Sequence, residues 1–295
     1  GRFESSKLYL QNKEGIFTEQ TFSDFNLHKK YEDIGQTIFD VDSDGDKDII
    51  IVSGGNESIT GYNSPPRLYL NESGNFKFKQ QAFNIDELNA STVTQGDIDN
   101  DGDIDLFIGA NSIPGSYGKV PDSYLMLNDG QGNFSTSANF DTKMGLVYDA
   151  KFMDFDKDND LDLIVVGHYM PISIFLNDGK GNFEKRLSES LSNSKGWWNT
   201  MDVADYDNDG DLDIVGGNWG LNTRLRASLE KPIILYRNDF DGNGKVDPIV
   251  TYFYQNRETP IATKSELTKQ IPVLNKNFLS YKDFAQANFE DYFSK

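Results

Sequence analysis

Five stretches of the chain place carboxylates at alternate positions of a nine-residue loop: DVDSDGDKD at 40–48, DIDNDGDID at 97–105, DFDKDNDLD at 154–162, DYDNDGDLD at 205–213 and DFDGNGKVD at 239–247. A tight loop brings alternate side chains to one centre, and a backbone carbonyl at the seventh position adds another oxygen. Such an all-oxygen set suits a hard divalent cation, Ca2+ before Zn2+. The ligand positions read from the sequence are Asp40, Asp42, Asp44, Asp46 and Asp48 in the first loop, and Asp97, Asp99, Asp101, Asp103 and Asp105 in the second. They continue as Asp154, Asp156, Asp158, Asp160 and Asp162, then Asp205, Asp207, Asp209, Asp211 and Asp213, then Asp239, Asp241, Asn243, Lys245 and Asp247. Lys245 fits only if the seventh position coordinates through its backbone. Glycine at the sixth position gives four of the loops their sharp turn, and Asn159 stands there in the third, Asn being the next residue able to take a left-handed conformation.

The competing reading is a metal-free, solvated Asp turn. Five registered copies weigh against it, because unneutralised carboxylates about 5 Å apart repel by nearly 1 kcal/mol per pair even in water. An EF-hand is excluded: the twelfth position is Ile51, Ile108, Val165, Gly216 and Val250, never the bidentate Glu. The expectation is four to five structural Ca2+ ions.

The elements that position these loops follow from the flanking sequence. Each loop is entered from an apolar or alternating stretch and left through a β-branched run such as 49–52 or 163–166, which reads as strand, loop, strand. A second motif alternates with the first: LYLQNKEGIF at 8–17, LYLNESGNF at 68–76, LMLNDGQGNF at 125–134 and IFLNDGKGNF at 174–183. Its Asn and Gly between apolar runs predict a hairpin. Together the two motifs predict an all-β chain of four-stranded antiparallel blades, about 50 residues each, arranged radially as a β-propeller. Blades fall at 35–83, 92–140, 148–191 and 199–254, with the hairpin at 7–22 as the outer half of another, so about four and a half blades are visible. The propeller domain is assigned to 1–260 and a helical tail to 261–295. In the tail Ser280 with Asp283 resembles a capping box, and Tyr281, Phe284, Ala285, Phe289, Tyr292 and Phe293 fall at helical spacing.

Composition sets the function classes. With 28 basic against 47 acidic residues and a formal charge of −19, the chain repels nucleic acid and anionic membranes. It has no cysteine, hence neither disulfides nor a thiolate metal site. Its 21 Phe and 14 Tyr supply too much core for a disordered acidic segment. No apolar run reaches the roughly 18 residues of a membrane span, and Gly1 in place of Met reads as a segment that has lost a targeting sequence.

The D-x-D-x-D-G-x-x-D loops after the first strand of each unit resemble the FG-GAP/VCBS repeats of integrin α-subunit propellers and their bacterial secreted relatives, over residues 7–254. Segments 216–232 and 265–285 resemble Bacteroidetes surface proteins that carry an ASPIC/UnbV-type region further on. Propellers of this family usually have seven or more blades, so the chain departs from them in length. The resemblance implies partner binding on the face opposite the calcium loops, where 53–67, 109–123 and 216–230 form long connections. Candidate ligand contacts there are Asn56, Asn111, Tyr117, His168, Trp198, Asn218, Trp219 and Arg224, with Tyr62, Tyr169 and Trp197 beside them. Amide plus aromatic groups serve sugar or peptide recognition. Against this, recurrent Asn also caps turns, and Trp197 and Trp198 alternate on a strand, so one of them faces the core.

The expected function is a calcium-stabilised binding or adhesion module, extracellular, cell-surface or periplasmic, recognising a glycan or an extracellular protein without membrane insertion. The alternatives are a polysaccharide lyase or hydrolase, for which no nucleophile elbow, zinc-binding His pair or phosphate loop is present, and a purely structural segment of a larger surface protein.

Overall fold

The computed structural model describes residues 4–56, 64–85, 88–186, 188–220 and 223–293. Two compact units divide the chain: Gly1–Gly115 with Val120–Asn218, and Ser116–Lys119 with Trp219–Lys295.

The first unit begins with a two-stranded hairpin, β1 (Leu8–Gln11) and β2 (Phe17–Gln20), and a short helix α1 (Ser23–Leu27). Two four-stranded antiparallel sheets follow in meander order. The first is β3 (Glu32–Phe39), β4 (Asp48–Gly54), β5 (Arg67–Glu72) and β6 (Asn75–Lys79); the second is β7 (Ala90–Gly96), β8 (Asp105–Ala110), β9 (Tyr124–Asn128) and β10 (Phe134–Thr136). A third meander comprises β11 (Leu146–Met153), β12 (Asp162–Met170), β13 (Ser173–Asn177) and β14 (Phe183–Arg186). After the one-turn helix α2 (Glu189–Ser192), strands β15 (Gly196–Ala204) and β16 (Asp213–Asn218) form a hairpin joined to the third sheet where His168 pairs with Trp197.

Each expected strand, Asp loop, strand unit is present, and the loop connects strands one and two of its sheet. The second strand is apolar on both faces because it is covered on both. Ile50 and Val52 share a core with Leu106 and Ile108 of the next sheet. Phe107 and Leu125 share one with Leu163 and Val165 of the third, and Ile164 and Val166 one with Met201 and Val203. Sheet thus stacks on sheet, with alternate residues of one strand serving opposite neighbours. The approach is close enough that a Cβ on Gly109 would lie 2.7 Å from both Thr92 and Val147 side chains.

The span 199–254, expected as one four-stranded unit, divides. Among the described residues β15 and β16 have no outer strands of their own, while β17 (Ile234–Asn238) pairs β18 (Asp247–Tyr254) around the fifth Asp loop, and β19 (Arg257–Pro260) completes a three-stranded sheet in the second unit. The physical reason is spacing. Successive loops start 57, 57 and 51 residues apart, but only 34 separate the last two, too few for four strands and their turns.

The tail is helical but not one helix. A capping box of Thr263 and Glu266 opens α3 (Lys264–Gln270), followed by α4 (Leu274–Asn277), α5 (Tyr281–Gln286) and a 3-10 turn at Phe289–Tyr292. Ser280 accepts the Asp283 N–H as expected, yet α5 stops at Gln286 because Ala287 is extended and Asn288 with Asp291 forms a new cap. Phe284, Phe289 and Tyr292 are buried with Leu267 and Leu274, whereas Tyr281 is exposed. Among the described residues no helix is long and apolar enough to cross a membrane.

Candidate metal centres

One hydrogen-bond skeleton recurs in all five loops. The first Asp accepts the sixth-position N–H, from Gly45 at 2.9 Å, Gly102 at 3.1 Å, Asn159 at 3.1 Å, Gly210 at 3.0 Å and Gly244 at 2.8 Å. The fifth residue accepts the seventh-position N–H at 2.8–3.0 Å throughout, Asn243 replacing Asp without altering the bond. The ninth Asp turns back to accept the second-position N–H, from Val41, Ile98, Phe155, Tyr206 and Phe240 at 2.8–3.2 Å. The turn needs two left-handed residues. Asn159 takes the expected one at φ 75°, and the fourth position supplies the other, as Ser43, Asn100, Lys157, Asn208 and Gly242 at φ 60–73°.

This skeleton sorts the predicted ligands. Carboxylate oxygens of positions one, three and nine lie within 4.8 Å of one another in four loops: Asp40, Asp42 and Asp48; Asp154, Asp156 and Asp162; Asp205, Asp207 and Asp213; Asp239, Asp241 and Asp247. In the second loop the corresponding group is Asp97, Asp99 and Asp101. The seventh-position side chains reach neighbouring turns: Asp46 accepts Ser73 N–H at 3.3 Å, Asp160 accepts the Asn100 amide at 3.0 Å, and Asp211 pairs with Lys157 at 2.5 Å. The fifth-position residues Asp44, Asp101, Asp158, Asp209 and Asn243 are exposed.

The residues fit a hard cation on two counts. The groups are oxygen-only, and buried oxygens within them lack any hydrogen-bond partner: Asp42 Oδ1, Asp97 Oδ1, Asp99 Oδ1 and Asp205 Oδ1. Burial, then neighbouring carboxylates, raises Asp42 and Asp99 above the usual range, and burial pushes Asp105 up to about 7. A cation would offset both the orphaned lone pairs and the crowded charge.

Sequence reasoning missed a third set of residues, the Asn of each hairpin motif. The backbone N–H groups of Asn71, Asn128 and Asn177 donate to the ninth-position carboxylates Asp48, Asp105 and Asp162 at 2.7–2.9 Å. Two of their side chains reach further: Asn128 Nδ2 donates to Val41 O at 2.9 Å and Asn177 Nδ2 to Ile98 O at 2.7 Å, each in the Asp loop of the preceding sheet. The hairpin of one repeat therefore fastens the Asp loop of the one before.

Residues 40–108 and 154–216 match the FG-GAP-like repeat family. The first matched span holds loops one and two, the second loops three and four. No curated protein sequence matches the chain. Among solved structures it is similar to an Agrocybe aegerita lectin described as recognising non-reducing terminal N-acetylglucosamine, at 17% identity and TM-score 0.44, over 81% of this chain and 68% of that one. It is also similar to the V. cholerae biofilm matrix protein Bap1, at 15% identity and TM-score 0.39, over 75% of this chain and 35% of that one.

At the ends of the sheets away from the Asp loops, the candidate ligand residues separate. Asn56 and Asn111 meet through Ser112, whose hydroxyl lies 3.1 and 3.0 Å from their side-chain oxygens and accepts from Asn89 Nδ2 at 2.7 Å. His168 stacks on Tyr148 with centroids 3.7 Å apart and on Trp197 at 5.7 Å, and its Nε2 meets Asn199 Oδ1 at 3.1 Å; burial lowers its pKa. Beside them Tyr169 is held at φ 59°, an uncommon conformation for an aromatic residue. Trp198 donates its indole N–H to Ser194 O at 2.8 Å and packs on the Ile164 and Val166 core, and Asn218 pairs with it across β15 and β16. Tyr117, Trp219 and Arg224 belong to the second unit, where Tyr117 O accepts from Arg237 at 2.9 Å and Arg224 donates to Ile261 O at 3.5 Å. Tyr62 lies outside the described residues.

Proposed function

We propose that the chain is a calcium-stabilised β-propeller segment of the integrin-like FG-GAP/VCBS kind, acting outside the cell or at its surface as a binding module for a glycan or a protein. The observation that carries the calcium reading is the recurrence of one loop skeleton with partnerless buried carboxylate oxygens inside it. The residues that would hold the ions are the carboxylates of positions one, three and nine, joined by the exposed fifth-position residue and the seventh-position carbonyl. When bound, Ca2+ supplies charge neutralisation and cross-linking of the two strands that each loop connects.

The ions are structural in this reading. At about 1 mM free Ca2+, a site of about 10 µM affinity adds about 2.7 kcal/mol to folding. Ligand recognition falls to the opposite ends of the strands, where the amide cluster of Asn56, Asn89 and Asn111 and the His168 and Trp197 stack offer hydrogen bonds beside aromatic surface. Calorimetric titration of metal-stripped chain with Ca2+ and with Zn2+, followed by glycan and protein binding of the calcium-loaded form, tests both halves. Four to five Ca2+ ions bound in preference to Zn2+ is the expected result. Absence of Ca2+ binding removes the first half, and a calcium-loaded chain that binds neither ligand class removes the second.

A further inference from the structure

The hydrogen bonds that close one Asp loop continue into the next. In each of the first three sheets the ninth-position Asp holds two elements at once: Oδ2 accepts the second-position N–H of its own loop, and Oδ1 accepts the N–H of the hairpin Asn.

These bonds join into one relay within the first unit. Asn177 N–H donates to Asp162 Oδ1 at 2.9 Å, and Asn177 Nδ2 donates to Ile98 O at 2.7 Å. The Ile98 N–H donates in turn to Asp105 Oδ2 at 3.2 Å, and Asp105 Oδ1 accepts Asn128 N–H at 2.8 Å. Asn128 Nδ2 donates to Val41 O at 2.9 Å, and Val41 N–H reaches Asp48 Oδ2 at 2.8 Å. The ninth-position carboxylates of loops three, two and one are thus strung on alternating peptides and amides, and every residue along the line is at most 7% exposed. At loop one the line turns back on itself, because the Asn71 side chain donates to Lys47 O of its own loop.

Other contacts between loops are of a different kind. Asn100 Nδ2 meets Asp160 Oδ1 at 3.0 Å between loops two and three, and Lys157 pairs with Asp211 at 2.5 Å between loops three and four, both at the exposed surface. Exposed polar contacts compete with water, and ion pairs among them are screened by salt. A buried line of hydrogen bonds responds as a unit, because turning one carboxylate strands a donor that has no water to turn to.

We propose, on the calcium reading of the loops, that Asn128 and Asn177 are positioning residues that couple cation occupancy of loop two to that of loops one and three. A ninth-position carboxylate held in place orders the second-position peptide beside it, then the Asn that grips that peptide, and through it the carboxylate of the next loop. The loop filled second therefore starts from a site already ordered, which makes the coupling positive, and by linkage it acts equally in both directions. Among the described residues the line stops at Asp162 and Phe155, short of loop four.

Gly45 and Gly102 N–H donate to the first Asp of loops one and two, so in the glycine-labelled, metal-stripped full chain their NMR shifts follow Ca2+ binding loop by loop. In the parent chain both follow steep curves, with Hill coefficients above about 1. Asp154→Asn with Asp156→Asn, which removes two loop-three carboxylates away from the relay, raises the Gly102 midpoint about fivefold or more. The same change in loop four, Asp205→Asn with Asp207→Asn, leaves that midpoint within about twofold, which separates coupling from a general loss of stability. In Asn177→Ala the loop-three change no longer moves Gly102. Asn128→Ala gives a second, independent pair: it frees Gly45 from the loop-two change Asp97→Asn with Asp99→Asn. Hyperbolic parent curves, a Gly102 midpoint indifferent to loop three, or coupling that persists without these Asn side chains would overturn the proposal. Loop glycines that do not respond to Ca2+ at all would overturn the calcium reading beneath it.

Discussion

Replacing Asn177 by Ala tests whether the hairpin of one repeat holds the Asp loop of another. The side chain is 6% exposed and donates to Ile98 O at 2.7 Å and to Leu161 O at 3.2 Å. Ile98 O keeps a second donor, Gly181 N–H at 3.0 Å, so the carbonyl stranded by the substitution is Leu161 O. Two lost bonds at about 1 kcal/mol each, plus part of the desolvation of one carbonyl, give a cost of about 2–4 kcal/mol. For a unit of this size the melting temperature falls by roughly 5–15 °C. Asn71 is the internal control: its amide donates to Lys47 O of its own loop at 3.1 Å and its Oδ1 accepts the Gly74 N–H of its own hairpin at 2.7 Å, both exposed and neither reaching another repeat, so Asn71→Ala costs about 1 kcal/mol. Urea unfolding in Ca2+, with unchanged m-values, measures both. Equal effects in the two variants, or less than about 0.5 kcal/mol for Asn177→Ala, would refute the cross-loop role.

Two further outcomes follow from single side chains. His28 is half buried against Phe78, its Nδ1 lies 2.8 Å from the Tyr69 hydroxyl, and burial and then the Arg67 charge lower its pKa. The folded chain therefore favours the neutral ring: its contribution is complete above the unfolded value of about 6.5 and is lost as pH falls from there through the folded pKa. NMR titration places the His28 midpoint below 6.5, and His28→Phe makes the unfolding midpoint less sensitive to pH between about 7 and 5; a midpoint at or above the unfolded value contradicts this. In the second unit, Tyr292 is fully buried and its hydroxyl donates to Phe284 O at 2.7 Å. Tyr292→Phe strands that carbonyl and costs about 1–2 kcal/mol in chemical unfolding, and a neutral result would mean that the carbonyl finds another donor.

The strands and loops were legible because they depend on local spacing: alternation, β-branched runs and a turn residue at the sixth position are all readable within nine to fifteen residues. The division of labour inside each loop was not. Alternation treats Asp40, Asp42, Asp44, Asp46 and Asp48 alike, whereas the left-handed conformation of Ser43 and Gly45 leaves Asp44 exposed and sends the Asp46 carboxylate to Ser73. Asn128 and Asn177 read as hairpin turns, but their partners lie 87 and 79 residues away, which no short pattern encodes. The proposed ligand face was least legible. Asn56 and Asn111 meet only because Ser112 and Asn89 stand between them, and Trp198, equivalent to Trp197 in sequence, differs in having Ser194 O within reach of its indole.

Thermal unfolding of metal-stripped chain with and without millimolar Ca2+, against Mg2+ at the same concentration, bears most directly on the proposed role of the five loops. The proposal predicts a rise in melting temperature with Ca2+ well beyond that with Mg2+, accompanied by four to five bound ions. An unchanged melting temperature with no bound Ca2+ would contradict it.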